Sequence, residues 1–377
     1  MTKILSVQSV IGRSRHAKRV ELLQSHGFEL HVAAFRRREE TQSRVPNCEI
    51  SELGSISHGY YLTRLLKFPR SLPQLRKLIK SCDAVYAFGP DMALLSMVAG
   101  IGLRKPICLD IADIRKIQVS RKIFGRMIRL LDWLVAKRCQ LLVSSAEGFV
   151  RGYYENRVGV ETNSVIIENK LEPLGLEAHA NDTQRDRISI GYFGILRCPW
   201  SANLLETLAR KFPDRFEVIF AGESQLEIDL EKLSDEVENF CYLGPYRSPA
   251  DLPDLYRRID LMWACYPPPP SGDPDWWWAQ AICRSNRFYE SCFFKRPLIA
   301  IAQSGDGAEV AKHGIGLVLD QYNEDAVLKQ LADKLHGTNL TGWLNNITRL
   351  PRHVYQYTDE GERLSTAIRS TLFEKRL

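Results

Sequence analysis

The feature that most constrains this chain is an alternation running along its whole length. Short apolar runs are each followed by a longer stretch with helical spacing. Strand-like runs fall at about 3–8, 29–34, 83–87, 106–110, 140–144 and 164–167, then at 188–193, 216–221, 239–243, 260–264, 297–302 and 316–319. Helical stretches lie at about 14–26, 61–80 with a break near Pro69, 90–101, 119–138, 146–156, 200–211, 249–258, 284–294, 324–336 and 361–374. Strands that are apolar on both sides and separated by helices build parallel sheets covered on both faces. A length of 377 residues suits two such domains. The polar, aperiodic stretch from Glu177 to Asp186, behind Pro173 and Gly175, reads as a linker. The expected fold class is therefore α/β, with two parallel-sheet domains over 1–180 and 181–355, a cleft between them and a last helix within 356–377.

Composition removes other classes. The chain is 45% hydrophobic and 25% charged, near the globular average, which excludes disordered and collagen-like chains. Its 9 cysteines are odd in number and form no CxxC pair, so reduced core thiols are expected rather than a disulfide framework. The 8 histidines show no HExxH or Cys/His spacing, and no metal site is expected. No apolar run approaches the ~18–20 residues of a membrane span. The first apolar stretch is too short for a signal peptide and precedes no small-residue cleavage site, so a cytoplasmic location is expected. Charge is uneven. Residues 1–180 hold 28 Lys and Arg against 17 Asp and Glu, a net of +11, and the remainder holds 23 against 28.

Open parallel sheets bind ligands at the carboxyl ends of their strands, so chemistry is sought in the loops that follow them. After the first strand, Gly12 permits a close backbone approach, and Arg13 or Arg15 suits an anion, although a basic helix start facing solvent explains them at least as well; GxGxxG is absent. After the PICL strand come Asp110 and Asp113. Asp113 has left the strand and is the better candidate for a base that takes a proton from a hydroxyl nucleophile. A helix cap or a partner for Arg115 explains it equally well. Gly194 ends the first strand of the second half, with Arg197 close behind, and Gly222 repeats the pattern one unit on. Backbone N–H groups and an arginine suit a phosphate there. Arg287 and Glu290 stand three apart and share a helix face, a cation and a carboxylate fit for a diphosphate and its ribose. A surface ion pair has the same spacing. Trp276, Trp277 and Trp278 behind Pro267–Pro270 read as an aromatic shelf, and Asp273 with Asp275 makes a loose DxD that nothing nearby completes.

Ser285-Asn286-Arg287-Phe288-Tyr289-Glu290, followed by Lys295-Arg296-Pro297-Leu298-Ile299-Ala300, resembles the donor-site helix and strand of GT-B glycosyltransferases, which carry two facing Rossmann-like domains. The Gly194–Arg197 loop resembles that family's phosphate loop, and Ser144-Ser145-Ala146-Glu147 resembles the step closing its first domain. The resemblance implies that Glu290 holds the donor ribose, that Arg287 stands near the diphosphate beside Asn286, and that the last helix returns to the first domain. Where retaining members carry a second glutamate, this chain has Ile282; Asp113 falls where inverting relatives place a catalytic carboxylate. The implied activity is metal-independent sugar transfer, with no cofactor, from a UDP- or GDP-linked donor to a saccharide or lipid-linked oligosaccharide in bacterial polysaccharide synthesis. A sugar-nucleotide epimerase of the same shape is the rival enzyme. A nucleic-acid-binding protein is the rival suggested by the basic half, but no accompanying motif completes it.

Residues 115–138 contain eight Lys and Arg and one acid, Asp132, interleaved with a helical stripe that runs from Val119 through Ile123, Phe124, Met127, Ile128, Leu131, Leu134 and Val135. A helix that covers a sheet buries such a stripe. The remaining basic faces, with those of 61–80, are expected against an anionic membrane surface.

Overall fold

The computed structural model describes residues 1–37, 44–56, 61–172, 186–266 and 283–373, and the side chains of 56 and 61–68 lie outside that description. The chain divides into two compact units, 1–169 with 358–377, and 170–357. The sequence places the boundary near 180; in the structure it falls at Asn169 and Lys170. Leu171 explains the shift, since its N–H donates to the Tyr355 carbonyl and its carbonyl accepts from Tyr357 N–H. The Lys170 ammonium also donates to the carbonyl of His353. Residues 177–185, most of the expected linker, lie outside the described residues.

Among the described residues the first unit holds seven strands: β1 (Thr2–Gln8), β2 (Phe28–Arg37), β3 (Glu49–Ile56), β4 (Ala84–Phe88), β5 (Ile107–Ile111), β6 (Leu141–Ser144) and β7 (Ser164–Ile166). They form one sheet in the order β3-β2-β1-β4-β5-β6-β7, every neighbouring pair parallel. The order reverses between β1 and β4, which makes a crevice at the carboxyl ends of those strands. Its helices include α1 (Ser14–Ser25), α2 (Tyr61–Ser81), α3 (Pro90–Ala99), α4 (Lys116–Val119) and α5 (Ile123–Arg138). α2 runs unbroken through Pro69 and Pro73. Each proline forfeits one backbone donor, and their four-residue spacing confines the loss to one face. A last helix, Glu360–Leu372, packs Leu364, Ile368 and Leu372 into the core of this unit with Val20, Leu30 and Val143.

The helix expected over 119–138 is split. Arg129 donates to the carbonyls of Gln118 and Ser120, closing a turn between α4 and α5. Gly125 lets α5 approach that turn, because a Cβ there would come within 2.1 Å of the Ser120 carbonyl oxygen. The apolar stripe meets its expected burial only at Val119 and Val135. Ile123, Phe124, Met127, Leu131 and Leu134 are exposed, and the buried positions are Gly125, Asp132, Val135 and Ala136. The next helical stretch is a π-helix over Phe149–Val158, ended by Gly159 in the left-handed region.

The second unit repeats the scheme with β8 (Ile188–Phe193), β9 (Phe216–Ala221), β10 (Phe240–Tyr242), β11 (Leu261–Ala264), β12 (Leu298–Ile301) and β13 (Gly316–Leu319). The order is β10-β9-β8-β11-β12-β13, again all parallel, with its reversal between β8 and β11. Its α-helices among the described residues are α6 (Pro199–Lys211), α7 (Leu230–Glu236), α8 (Leu252–Arg257), α9 (Asn286–Phe294), α10 (Gly305–His313), α11 (Glu324–Lys334) and α12 (Gly337–Arg349). α8 begins three residues later than the sequence suggests, because the Asp251 carboxylate accepts from the backbone N–H of Arg247. All nine cysteines are free. No helix among the described residues is long and apolar enough to cross a membrane.

Candidate functional site

In the second unit the candidate residues gather at the carboxyl edge of the sheet. β8 ends in Gly194 and β9 in Gly222, both in the left-handed region with φ of 106° and 129°. Gly222 lies against Gly194, since a Cβ on it would stand 1.8 Å from the Gly194 carbonyl oxygen. The Gly194 N–H donates to Ala221, and that of Gly222 to Gly244, so three strand ends stay knitted beyond the sheet. A Cβ on Gly194 would meet the Arg287 guanidinium at 2.9 Å. The glycine loop and α9, far apart in sequence, thus meet at one point.

Arg287 is the second residue of α9. Its guanidinium carbon lies 5.3 Å from the Tyr192 ring centre and 5.1 Å from that of Tyr266. Its buried Nε has no hydrogen-bond partner among the described residues. Burial opposes the charge, but Tyr266, Tyr192, Tyr246 and Glu290 more than offset it, so the group holds its proton more firmly than an ordinary arginine. The exposed Arg197 approaches the same Tyr266 ring, at 5.9 Å. Two guanidinium groups therefore lean on one aromatic ring beside a glycine turn, an arrangement suited to a diphosphate.

One turn along α9 from Arg287, Glu290 is only 8% exposed, and its carboxylate accepts from the Tyr256 hydroxyl at 3.0 Å. Burial, followed by the Glu290 charge, pushes the Tyr256 phenol far above its ordinary range, so it remains a donor. Asn286 is exposed at the start of α9. That start is fixed by Ser285, whose N–H and hydroxyl donate to the two Asp306 oxygens at 2.9 and 2.6 Å. Asp306 lies in the first turn of α10, where Ser304 caps the N–H of Gly307. Burial raises the Asp306 carboxyl, opposed by the Ser285 hydrogen bonds and by Arg287 and Arg284. The N-terminal ends of α9 and α10 are thereby held side by side, both positive dipole ends.

Sequence reasoning assigned no part to Tyr192, Tyr256, Tyr266 and Asp306, and quoted Ser285 only within the donor-site stretch. The readable signal was Ser304-Gly305-Asp306-Gly307 after an apolar strand, a cap followed by an acid in the first turn. Asp273, Asp275 and Trp276–Trp278 lie outside the described residues.

In the first unit, Asp110 and Asp113 separate as β5 ends. Asp110 is 1% exposed and accepts from Arg15 at 2.5 Å, Arg19 at 3.2 Å and the Tyr86 hydroxyl at 2.6 Å. Burial alone would raise its carboxyl; Arg15 and Arg19 outweigh it and hold the group below the usual range. Arg15, one of the two arginines that the sequence offers to an anion or to solvent, meets the Asp110 carboxylate. Asp113 is exposed in the loop between β5 and α4. His16 is buried against Phe88, with ring centres 4.1 Å apart, and burial, then Arg15 and Arg13, lower it to about 3. It is a neutral packing residue near pH 7.

No family model matches the chain. It is 25% identical over 335 residues to the succinoglycan biosynthesis protein ExoL of Rhizobium meliloti (strain 1021), covering 85% of this chain and 81% of that protein. Among solved structures it resembles the sucrose-phosphate synthase of Thermosynechococcus elongatus, with a TM-score of 0.70 at 11% identity over 98% of both chains. It also resembles Anabaena HepE in complex with UDP-glucose, with a TM-score of 0.67 at 15% identity over 98% of this chain and 100% of the other. Two all-parallel sheets of Rossmann order, together with likeness across nearly the whole chain, show that this protein has the GT-B fold of glycosyltransferases.

Proposed function

We propose that the protein is a metal-independent glycosyltransferase of bacterial polysaccharide biosynthesis. It moves a sugar from a nucleotide-diphosphate donor, UDP-linked in preference to GDP-linked, to a hydroxyl of a lipid-linked saccharide at the cytoplasmic face of an anionic membrane. The observation that carries the reading is the convergence of Gly194, Arg287 and Glu290 at the carboxyl edge of the second sheet. The succinoglycan relative supports the polysaccharide assignment, and the UDP-glucose complex of HepE supports the choice of base.

In this reading Arg287, Arg197 and the N-terminal ends of α9 and α10 neutralise the departing diphosphate, the task a divalent ion performs in other transferases. Gly194 and Gly222 let the backbone approach the phosphates, Asn286 adds a polar contact, and Glu290 accepts the ribose hydroxyl protons. Asp113 takes the acceptor proton as that oxygen attacks the anomeric carbon and the bond to the diphosphate breaks, with inversion.

Calorimetry with UDP tests the donor site. Glu290→Ala should weaken binding by about 1.5–3 kcal/mol, the scale of a charged hydrogen bond, or roughly tenfold to a hundredfold. Because Tyr256 loses its acceptor in that variant, folding is checked by circular dichroism alongside. A folded variant with wild-type affinity would defeat the assignment of Glu290.

A further inference from the structure

Helix α5 presents two faces, and their chemistry is inverted relative to a helix in contact with water. The face turned to the protein carries Gly125, Asp132, Val135 and Ala136. Asp132 is buried and accepts from Gln118 at 2.8 Å and the Tyr153 hydroxyl at 2.5 Å. The outer face carries Ile123, Phe124, Met127, Leu130, Leu131 and Leu134, which are 41–71% exposed. Their three- and four-residue spacing makes one continuous stripe. Water-facing helices put the carboxylate outside and the large apolar side chains inside. An exposed apolar stripe of this length marks an interaction surface.

Charge identifies what covers it. Lys122, Arg126, Lys137 and Arg138 are exposed around the stripe, while Asp132, the single acid of 115–138, faces inward. Lys137 lies with its ammonium 4.6 Å from the Trp133 ring centre, its stem along the helix. A two-fold pairing of α5 with a second copy would set these cations against themselves. An anionic bilayer offers the opposite charge at the headgroups and an apolar layer just beneath.

We infer that α5 is an interfacial docking helix, lying in the plane of an anionic membrane with its stripe below the headgroups and its cations among the phosphates. This rests on the membrane-surface part of the proposed function and deepens it, from attraction of basic side chains to insertion of named apolar ones. Within the first unit, only residues 114–122 separate the stripe from Asp113, so docking there brings the proposed base toward a lipid-borne acceptor.

The full chain is sedimented with vesicles of phosphatidylcholine alone and of phosphatidylcholine containing phosphatidylglycerol, at low and high salt. Binding is expected to need the anionic lipid and to weaken as salt screens it. Phe124→Ser with Leu131→Ser should weaken binding about tenfold or more, since both side chains leave the apolar layer. Arg126→Glu with Lys137→Glu should do the same, each surface cation being worth about fivefold. Equal binding to both vesicle types at low salt, or wild-type binding by the serine variant, would overturn the inference. So would a dimer that the serine variant abolishes without any vesicle binding, which would assign the stripe to a second copy. UDP calorimetry on the same preparations separates the two readings. Intact UDP binding without vesicle binding sinks the docking helix alone, and vesicle binding without UDP binding sinks the donor site alone.

Discussion

Adding one methyl group to either glycine of the strand-end turn should produce two different failures. Gly194→Ala forces a side chain into the left-handed region, which costs about 1–2 kcal/mol. Its Cβ would also stand 2.9 Å from an Arg287 guanidinium nitrogen, the far end of a flexible side chain that can yield. The variant should therefore fold, lose about 1–2 kcal/mol of stability, and bind UDP several-fold to tenfold less tightly because Arg287 is displaced. Gly222→Ala meets backbone instead, with its Cβ 1.8 Å from the Gly194 carbonyl oxygen. That contact can be relieved only by separating the ends of β8 and β9, so the loss should reach the range above about 4 kcal/mol that marks major disruption. Urea denaturation measures both stabilities, and calorimetry with UDP measures binding. Should Gly222→Ala prove as stable as Gly194→Ala, or Gly194→Ala bind UDP as wild type does, the close approach of the two strand ends and Arg287 would be refuted.

Three further outcomes follow from the site and the first unit. Asp110→Asn should destabilise the protein by about 3–5 kcal/mol at neutral pH, because Arg15 and Arg19 lose a buried counter-ion. Since the Asp110 carboxyl is held below its unfolded value near 3.9, that contribution is complete above this pH and is lost as acid titrates it; a stability difference independent of pH from 7 to 2 would contradict the pairing. Asp113→Asn keeps the size and removes the base, so turnover should fall about a hundredfold to ten-thousandfold with UDP affinity unchanged, and turnover within threefold of wild type would make Asp113 structural. Activity should survive EDTA in full; an absolute requirement for Mg²⁺ or Mn²⁺ would return Asp273 and Asp275 to consideration as ligands.

The strands were legible where both faces are buried. Ile188–Phe193, Phe216–Ala221 and Gly316–Leu319 are apolar runs interrupted only by Ser189 and Glu217, which hydrogen-bond to each other, and their observed limits match the sequence reading. Strand β3 was not legible, because Glu49–Ile56 sits at the sheet edge, pairs among the described residues with β2 alone and carries polar residues along its length. Helix α12 escaped notice because GTNLTGWLNNITR is rich in glycine, threonine and asparagine, all weak helix formers. At the candidate site, Arg287 and Glu290 could be read because they are local, three residues apart on one helix. Tyr192, Tyr256 and Asp306 join them through long-range packing that no spacing reveals. The partner of Arg15 was hidden for the same reason, its carboxylate lying 95 residues away. Periodicity located the stripe on α5, but periodicity specifies a face and not what the face meets.

Sugar transfer itself is the most direct test of the central claim. Purified protein is incubated with a panel of UDP- and GDP-sugars and an anionic lipid extract carrying saccharide acceptors, and products are followed by mass spectrometry. One nucleotide sugar is expected to release its diphosphate only when acceptor is present, with the acceptor gaining the mass of a single sugar and Arg287→Ala abolishing both signals. A free, epimerised sugar nucleotide with no acceptor product, or no turnover of any nucleotide sugar by protein that binds UDP, would contradict the assignment as a glycosyltransferase.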